Sequence, residues 1–325
     1  HWRKTDDSLV RLADGSLRTM AEARRLYPDF DLTRSWALPD IPVLPGDESL
    51  DDYLRRIGFT EAQLHYTRRS YANAAGDDMR FISALACRED WADRSAGAGD
   101  FRILDGYDAL LNALAGGLDI RLNTVVERVD WSGAGVRVET NQGRFEAASA
   151  IVTLPLGVLQ SGAVRFDPPL PADKQAALAG LRMGPALKLV YRFDDPVLPR
   201  GVMALYSAGV PAMWWSPSFG HDAPQTVITA FATGDYARDL LARGETGALE
   251  AALATLRGEL GRPDLQPAAA HLVNWVDDPF ARGGYSVVMP GHVGARAALA
   301  QPTDGRLFWA GEATAPNPWG ATVHG

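Results

Sequence analysis

The run Arg306-Leu307-Phe308-Trp309-Ala310-Gly311-Glu312-Ala313-Thr314, continued by Pro318-Trp319-Gly320-Ala321-Thr322-Val323-His324-Gly325, decides how the chain is read. Residues 306–310 read as a short buried strand. Gly311 lets another group approach the backbone closely, and Glu312 then stands at the strand's carboxyl end, where open α/β sheets bind ligands. After a polar loop, residues 320–323 read as the opening of a helix, whose first N–H groups have no partner inside it. A strand, a Gly-Glu pair, a loop and a helix N-terminus together suit a polar, partly anionic ring system.

Working outward, residues 150–160 (Ala-Ile-Val-Thr-Leu-Pro-Leu-Gly-Val-Leu-Gln) are a second buried strand, ending at Pro155. A proline-rich crossing at 166–171 and a helix over 173–181 follow it. In Gly184-Pro185-Ala186-Leu187-Lys188-Leu189-Val190-Tyr191-Arg192-Phe193, alternation puts Leu187, Leu189, Tyr191 and Phe193 on one face. Lys188, Val190 and Arg192 take the other face, so on pattern alone Lys188 is an ordinary solvent-side lysine. Upstream, a helix over 105–114 is closed by Gly116-Gly117, and strand-like segments at 119–131, 135–140 and 143–154 predict a meander. More strands are expected within 203–232, where Trp214 and Trp215 must face opposite ways, and an amphipathic helix over 249–260.

The first hundred residues are mostly helical and polar in pattern. Asp14-Gly15 marks a hairpin-like turn, helical spacing runs over 20–27, and Pro39, Pro42 and Pro45 punctuate a linker. Ser49 and Thr60 are N-caps, the second opening a long helix to about residue 75. No catalytic constellation occurs here, and a helical lid or subdomain is the reading.

Composition bounds the rest. A chain of 325 residues predicts two domains or an interwoven pair. A formal net charge of −8 argues against a nucleic-acid groove, and the absence of any run of about 18 apolar residues predicts no membrane span. The single cysteine, Cys87, excludes an internal disulfide and suits a reducing cytoplasm. Scattered histidines without HExxH or Cys–His spacing exclude a metal centre of those kinds, and no GxSxG elbow is present. Gly97-Ala98-Gly99 and Gly133-Ala134-Gly135 lack the strand–GxGxxG–helix context, so no dinucleotide fingerprint is found. The opening His1-Trp2-Arg3 leads to the expectation of a piece of a longer protein.

Together with Asn274-Trp275-Val276-Asp277-Asp278-Pro279-Phe280-Ala281-Arg282-Gly283-Gly284-Tyr285-Ser286, these motifs closely resemble the flavin-dependent amine oxidases: monoamine oxidases, polyamine oxidases and lysine-specific histone demethylases. The resemblance implies an α/β fold in which a partial FAD-binding domain is interwoven with an α+β substrate domain built on a mixed sheet with helices. That FAD domain would lack its N-terminal GxGxxG βαβ unit. It divides the chain into a helical part of the substrate domain (1–100), FAD-domain helix and meander (101–160), substrate-domain sheet and helices (161–300), and the FAD-domain C-terminal strand and helix start (301–325).

The implied activity is hydride transfer from the carbon beside an amine nitrogen to flavin N5, with imine hydrolysis and reoxidation by O₂ to H₂O₂. By the same resemblance, Lys188 is the catalytic residue, hydrogen-bonded through a water to N5. Val126, Pro155, Trp275, Gly311, Glu312, Thr322 and Val323 are implied to bind FAD. Tyr285, Trp275 and Thr322 are implied to line the amine site. Gly284 stands where monoamine oxidases carry the flavin-linking cysteine, so FAD is expected to be non-covalent. Thr322 replaces a second tyrosine, leaving the aromatic cage open on one side. The implied partners are a small-molecule amine and O₂, with no nucleic acid and no membrane, and a separate chain supplying the dinucleotide-binding half. Two alternatives stay open: an inactive fragment or partner subunit, and an L-amino acid oxidase or desaturase on the same scaffold, for which Arg282 is an available carboxylate anchor.

Overall fold

The structure, a computed structural model, describes residues 2–3, 7–12, 14–26, 41–92, 101–103, 106–220 and 225–315. Two blocks of sheet and helix carry most of it. The larger is a seven-stranded mixed sheet of β2 (Asp7–Arg11), β3 (Leu17–Thr19), β11 (Ala186–Phe193), β12 (Val202–Tyr206), β13 (Met213–Trp215), β14 (Thr226–Thr233) and β15 (Ala269–Asn274). Its spatial order is β15-β11-β14-β13-β12-β2-β3, with β12 and β2 parallel and every other pair antiparallel.

The period-two pattern of β11 is realised: Leu187, Leu189, Tyr191 and Phe193 are buried, whereas Lys188 and Arg192 are exposed. The buried face packs under α8 (Gly234–Leu241) and α9 (Gly244–Leu260) through Ala237, Leu240, Ala248, Ala252 and Leu256. Trp214 lies wholly inside this core, and Trp215 points to the other face, as strand alternation requires. The helix expected over 249–260 begins earlier, because burial of Ala248 against the sheet overrides the loop-like Gly-Glu-Thr-Gly start.

The second block is a four-stranded sheet, ordered β7-β6-β5-β9, from β5 (Val126–Asp130), β6 (Val136–Thr140), β7 (Gly143–Ala147) and β9 (Arg165–Asp167). Beside it lies a parallel pair, β8 (Ala150–Val152) with β17 (Leu307–Trp309). The expected meander is therefore corrected at its third segment. The chain breaks after Ala147, and β8 leaves the meander to pair with the strand near the C-terminus. The first segment is shortened too, since only Val126–Asp130 is strand. Helices α6 (Leu156–Ser161), α7 (Ala172–Ala179) and α10 (Ala295–Ala300) share one apolar core with these strands. Two small antiparallel pairs complete the sheets: β10 (Leu181–Met183) with β16 (Ser286–Val288), and β1 (Trp2–Arg3) with β4 (Phe101–Arg102).

The helical region joins the blocks. Besides α1 (Met20–Leu26) it holds α2 (Leu50–Arg56), where Ser49 accepts from the Asp52 N–H, and α3 (Glu61–Thr67), opened by a Thr60–Gln63 capping box. The helix expected to reach residue 75 does so, but through a π-helical stretch, Arg68–Ala72, and a last turn, Asn73–Ala75. Two further helices are α4 (Ala84–Ala92) and α5 (Tyr107–Ala115), the latter with no buried residue.

Candidate functional site

Three of the sequence-read residues, Trp275, Tyr285 and Glu312, are linked through a junction built from glycine backbone. At the start of β11, the Gly184 N–H donates to the Tyr285 carbonyl (2.9 Å) and the Gly184 carbonyl accepts from the Gly284 N–H (2.8 Å). The Gly283 N–H donates to the Trp275 carbonyl (2.8 Å), closing the 275–283 loop on itself. The Tyr285 ring lies against Gly76, whose φ of 110° and lack of a side chain both admit it: a Cβ there would come within 2.5 Å of the ring. The Tyr285 hydroxyl donates to the Ala74 carbonyl. Burial, reinforced by the charge of Glu312, pushes that phenol well above its ordinary pKa.

The next residue carries the junction to the chain's last strand. The Ser286 hydroxyl (2.7 Å) and N–H (3.2 Å) both donate to Glu312 Oε2. Buried Arg296, on α10, donates through Nη1 to Ser286 Oγ (2.6 Å) and to the Glu312 carbonyl (2.8 Å), and its Nη2 donates to the Ser286 carbonyl (2.7 Å). The Arg296 guanidinium stands 3.7 Å from Glu312 Oε2. Glu312 Oε1 takes no hydrogen bond among the described residues, so one oxygen is fixed by protein and the other is open. Gly311, just before it, has φ 116° and, among the described residues, no atom within 4 Å of where a Cβ would sit.

The other candidate residues lie around this junction. Asn274 pairs with Leu187, so Trp275 emerges beside the start of β11; its indole is 40% exposed, unusual for so large an apolar group. β8 ends at Val152 rather than at the expected Pro155, which instead caps the start of α6, and Gly157 in α6 packs so closely under the loop that a Cβ would meet the Arg282 carbonyl at 2.7 Å. Val126 is half-buried on the core shared with Leu307 and Trp309. Lys188 stands on the open face of the large sheet, flanked in register by Phe231 and Val273, with Met213 next in the row. Its amine has no ion-pair or hydrogen-bond partner among the described residues. Trp215 and Phe231 meet edge to face at 6.3 Å on that same side. Thr322 and Val323 lie outside the described residues.

Sequence reading missed Ser286, Arg296 and Gly76 as parts of the site. Arg296 left a signal: it is the one charge in Ala-Arg-Ala-Ala-Leu-Ala, a helix otherwise apolar enough to be buried. Gly76 left none, because what it contacts is 209 residues away in sequence, at Tyr285.

The fold is of the mixed α/β class, with a strand end and glycine loops meeting at this junction. A family profile described as flavin containing amine oxidoreductase matches residues 44–325, and the chain belongs to that family. FAD is the cofactor this membership implies. Among curated relatives, the chain is 32% identical over 229 residues to polyamine oxidase 4 of Oryza sativa subsp. japonica, covering 69% of this chain and 46% of that protein. It is 30% identical over 271 residues to lysine-specific histone demethylase 2 of Homo sapiens, covering 78% of this chain and 32% of that protein. The chain thus spans less than half the length of these relatives. A solved structure of putrescine oxidase bound to putrescine shares the fold, with TM-score 0.77 at 18% identity, over 98% of this chain and 79% of that one. Among the described residues no helix is long and apolar enough to cross a membrane, and no cluster of potential metal ligands occurs.

Proposed function

We propose that the chain is part of a non-covalent FAD-dependent amine oxidase whose cofactor lies across the 184–285–312 junction, with Lys188 at the reacting end. The observation that carries this is the continuous hydrogen-bonded path from Gly184 through Tyr285 and Ser286 to Glu312, with an open carboxylate oxygen, an exposed indole and an unpartnered lysine around it. These features fit a flat ring with a hydroxylated tail: Gly311 leaves room at the strand end, Glu312 Oε1 can accept from a tail hydroxyl, and Trp275 offers an apolar face. When bound, FAD supplies the acceptor for the hydride on the carbon beside the amine nitrogen, and O₂ restores it with release of H₂O₂.

The chain's own residues position and polarise. Lys188 offers three N–H donors with no competing carboxylate, which suits holding a water at the ring's central nitrogen and passing a proton there. Tyr285, held neutral by burial, and Trp275 wall the amine site and exclude water. Arg296 and Ser286 fix the Glu312 carboxylate in one rotamer, so its orientation is set before any ligand arrives. Thr322 and Val323, which the sequence reads as a helix start, would place N–H donors toward the ring's carbonyl edge, while Val126 and Pro155 would make backbone contacts to the nucleotide end. Single, buried Cys87 is compatible with the cytoplasmic setting we infer.

A second element of the proposal rests on the β8–β17 pair. Parallel strands are normally covered on both faces, yet Ile151 is 69% exposed, Phe308 is also open, and all of α5 presents Tyr107, Leu111 and Leu114 outward. A dinucleotide-binding βαβ unit, on a longer form of this chain or on a separate one, would extend the pair and bring the missing glycine turn to the cofactor. Without it the chain is an inactive fragment. The amino acid oxidase or desaturase alternative has less support: Arg282 is exposed, and among the described residues its guanidinium donates only to the Pro279 carbonyl (3.3 Å). Peroxide release from a panel of diamines, polyamines, arylalkylamines and L-amino acids separates the readings. Turnover with amines supports ours, and turnover confined to amino acids overturns it.

A further inference from the structure

A large cavity lies away from this junction. About 780 Å³ of space lies between the β2–β3 turn, α3 with its π-helical continuation, the β12–β13 connection and α9. In the sheet, β2 is four strand spacings from β11, which places the cavity roughly 19 Å from the strand of Lys188. Its walls are mainly apolar, including Val10, Leu12, Ala62, Ala208 and Ala254. A volume of this size is in the range of small-molecule sites.

One polar group in the wall has nothing to answer it. Arg69 sits in the π-helical stretch, a local widening that often marks functional positions. Its Nη1 donates to the Ser207 carbonyl (3.0 Å), while Nε is sealed from solvent without any partner. Glu259, the carboxylate in the same wall, is already committed: Oε2 takes Arg11 Nε (2.7 Å) and Oε1 takes the Ala208 N–H (2.9 Å). Arg69 therefore has no carboxylate partner among the described residues. Burial lowers its pKa from the ordinary arginine value, and the nearby charge of Glu259 only partly offsets the lost hydration. His65, on the rim, is held toward its neutral form by burial and by Arg69 and Arg68.

From this geometry we infer a second ligand site: the cavity binds an aliphatic carboxylate, its tail along the apolar walls and its carboxylate on the Arg69 guanidinium. A carboxylate on the uncommitted Nη2 end of the fork returns a counter-charge to a largely desolvated cation whose Nε is already left without a partner. An alcohol of the same chain length fills the space equally and lacks the charge; an alkylammonium brings the wrong one.

Isothermal titration calorimetry of the protein with dodecanoate, dodecanol and dodecylammonium tests this, with three variants. Arg69→Met keeps the stem and removes the charge, Arg69→Lys restores a charge without the fork, and Gly258→Phe fills the cavity from a helical position where a Cβ meets nothing within 4 Å. Dodecanoate is expected to bind the wild type about 10- to 100-fold more tightly than dodecanol, the range a charge-assisted pair provides. Arg69→Met should bring the two to parity, Arg69→Lys should recover part of the difference, and Gly258→Phe should abolish both. No heat from dodecanoate with the wild type, or undiminished dodecanoate affinity in Arg69→Met, overturns the inference. Amine turnover is not read, so the outcome is independent of the oxidase proposal.

Discussion

Gly184→Ala is the substitution the junction tolerates least. A Cβ at residue 184 would stand 2.1 Å from the Gly76 carbonyl oxygen, about 1.3 Å inside the 3.4 Å at which ordinary contact begins. The obstruction is backbone, which has no rotamer to change. Relief must separate the two segments, stretching the Gly184 N–H bond to Tyr285 (2.9 Å) and the Gly284 N–H bond to Gly184 (2.8 Å). Each bond contributes about 1 kcal/mol, and overpacking adds about 1–3 kcal/mol. The expected loss is thus about 3–5 kcal/mol, read by urea unfolding. Gly258→Ala is the control: its Cβ position is empty and it lies within α9, so alanine should add up to about 1 kcal/mol through helix propensity. A Gly184→Ala protein within about 0.5 kcal/mol of the wild type would refute the close-approach argument.

Three other outcomes follow from the same structure. Lys188→Met should slow flavin reduction by amine about 100-fold or more while leaving the bound flavin's visible spectrum intact, measured by anaerobic stopped flow. Tyr285→Phe removes the bond to Ala74 at a cost of about 1 kcal/mol and changes the alkaline limb of stability. Because the folded phenol holds its proton after the unfolded one has lost it, stability should fall as pH rises above the ordinary value of 10.0, and less so in the variant. Lys174, 2% exposed, donates to the carbonyls of Ala298 (3.2 Å), Leu299 (2.6 Å) and Gln301 (2.6 Å) at the end of α10, above the Trp309 ring. Lys174→Met should cost about 2–4 kcal/mol in chemical unfolding. Burial lowers this lysine's pKa, so wild-type stability gains as pH climbs toward 10.5, a slope the variant should lack.

Local signals in the sequence proved readable where they depend on one segment alone. The alternation of β11, the Ser49 and Thr60 caps, the hairpin at Asp14-Gly15 and the opposed faces of Trp214 and Trp215 all appear as expected. Long-range partnerships were not readable. Nothing near residue 150 says that β8 abandons the meander for β17, because an apolar tripeptide fits either neighbour. Gly244–Leu260 is one helix because the sheet buries Ala248, a tertiary effect on a weak local propensity. At the site, the aromatic and carboxylate residues stood out in Gly-Tyr-Ser and Ala-Gly-Glu, whereas their orienting partners, Ser286 toward Glu312 and Gly76 toward Tyr285, exist only once the chain is folded.

The account stands most directly on one measurement: anaerobic addition of a polyamine or other amine to the protein expressed from its complete reading frame, following the visible absorbance of FAD. The account predicts that the purified protein carries FAD, that amine bleaches it, and that air restores the colour with peroxide. Flavin bound yet left oxidised by every amine supplied would contradict it.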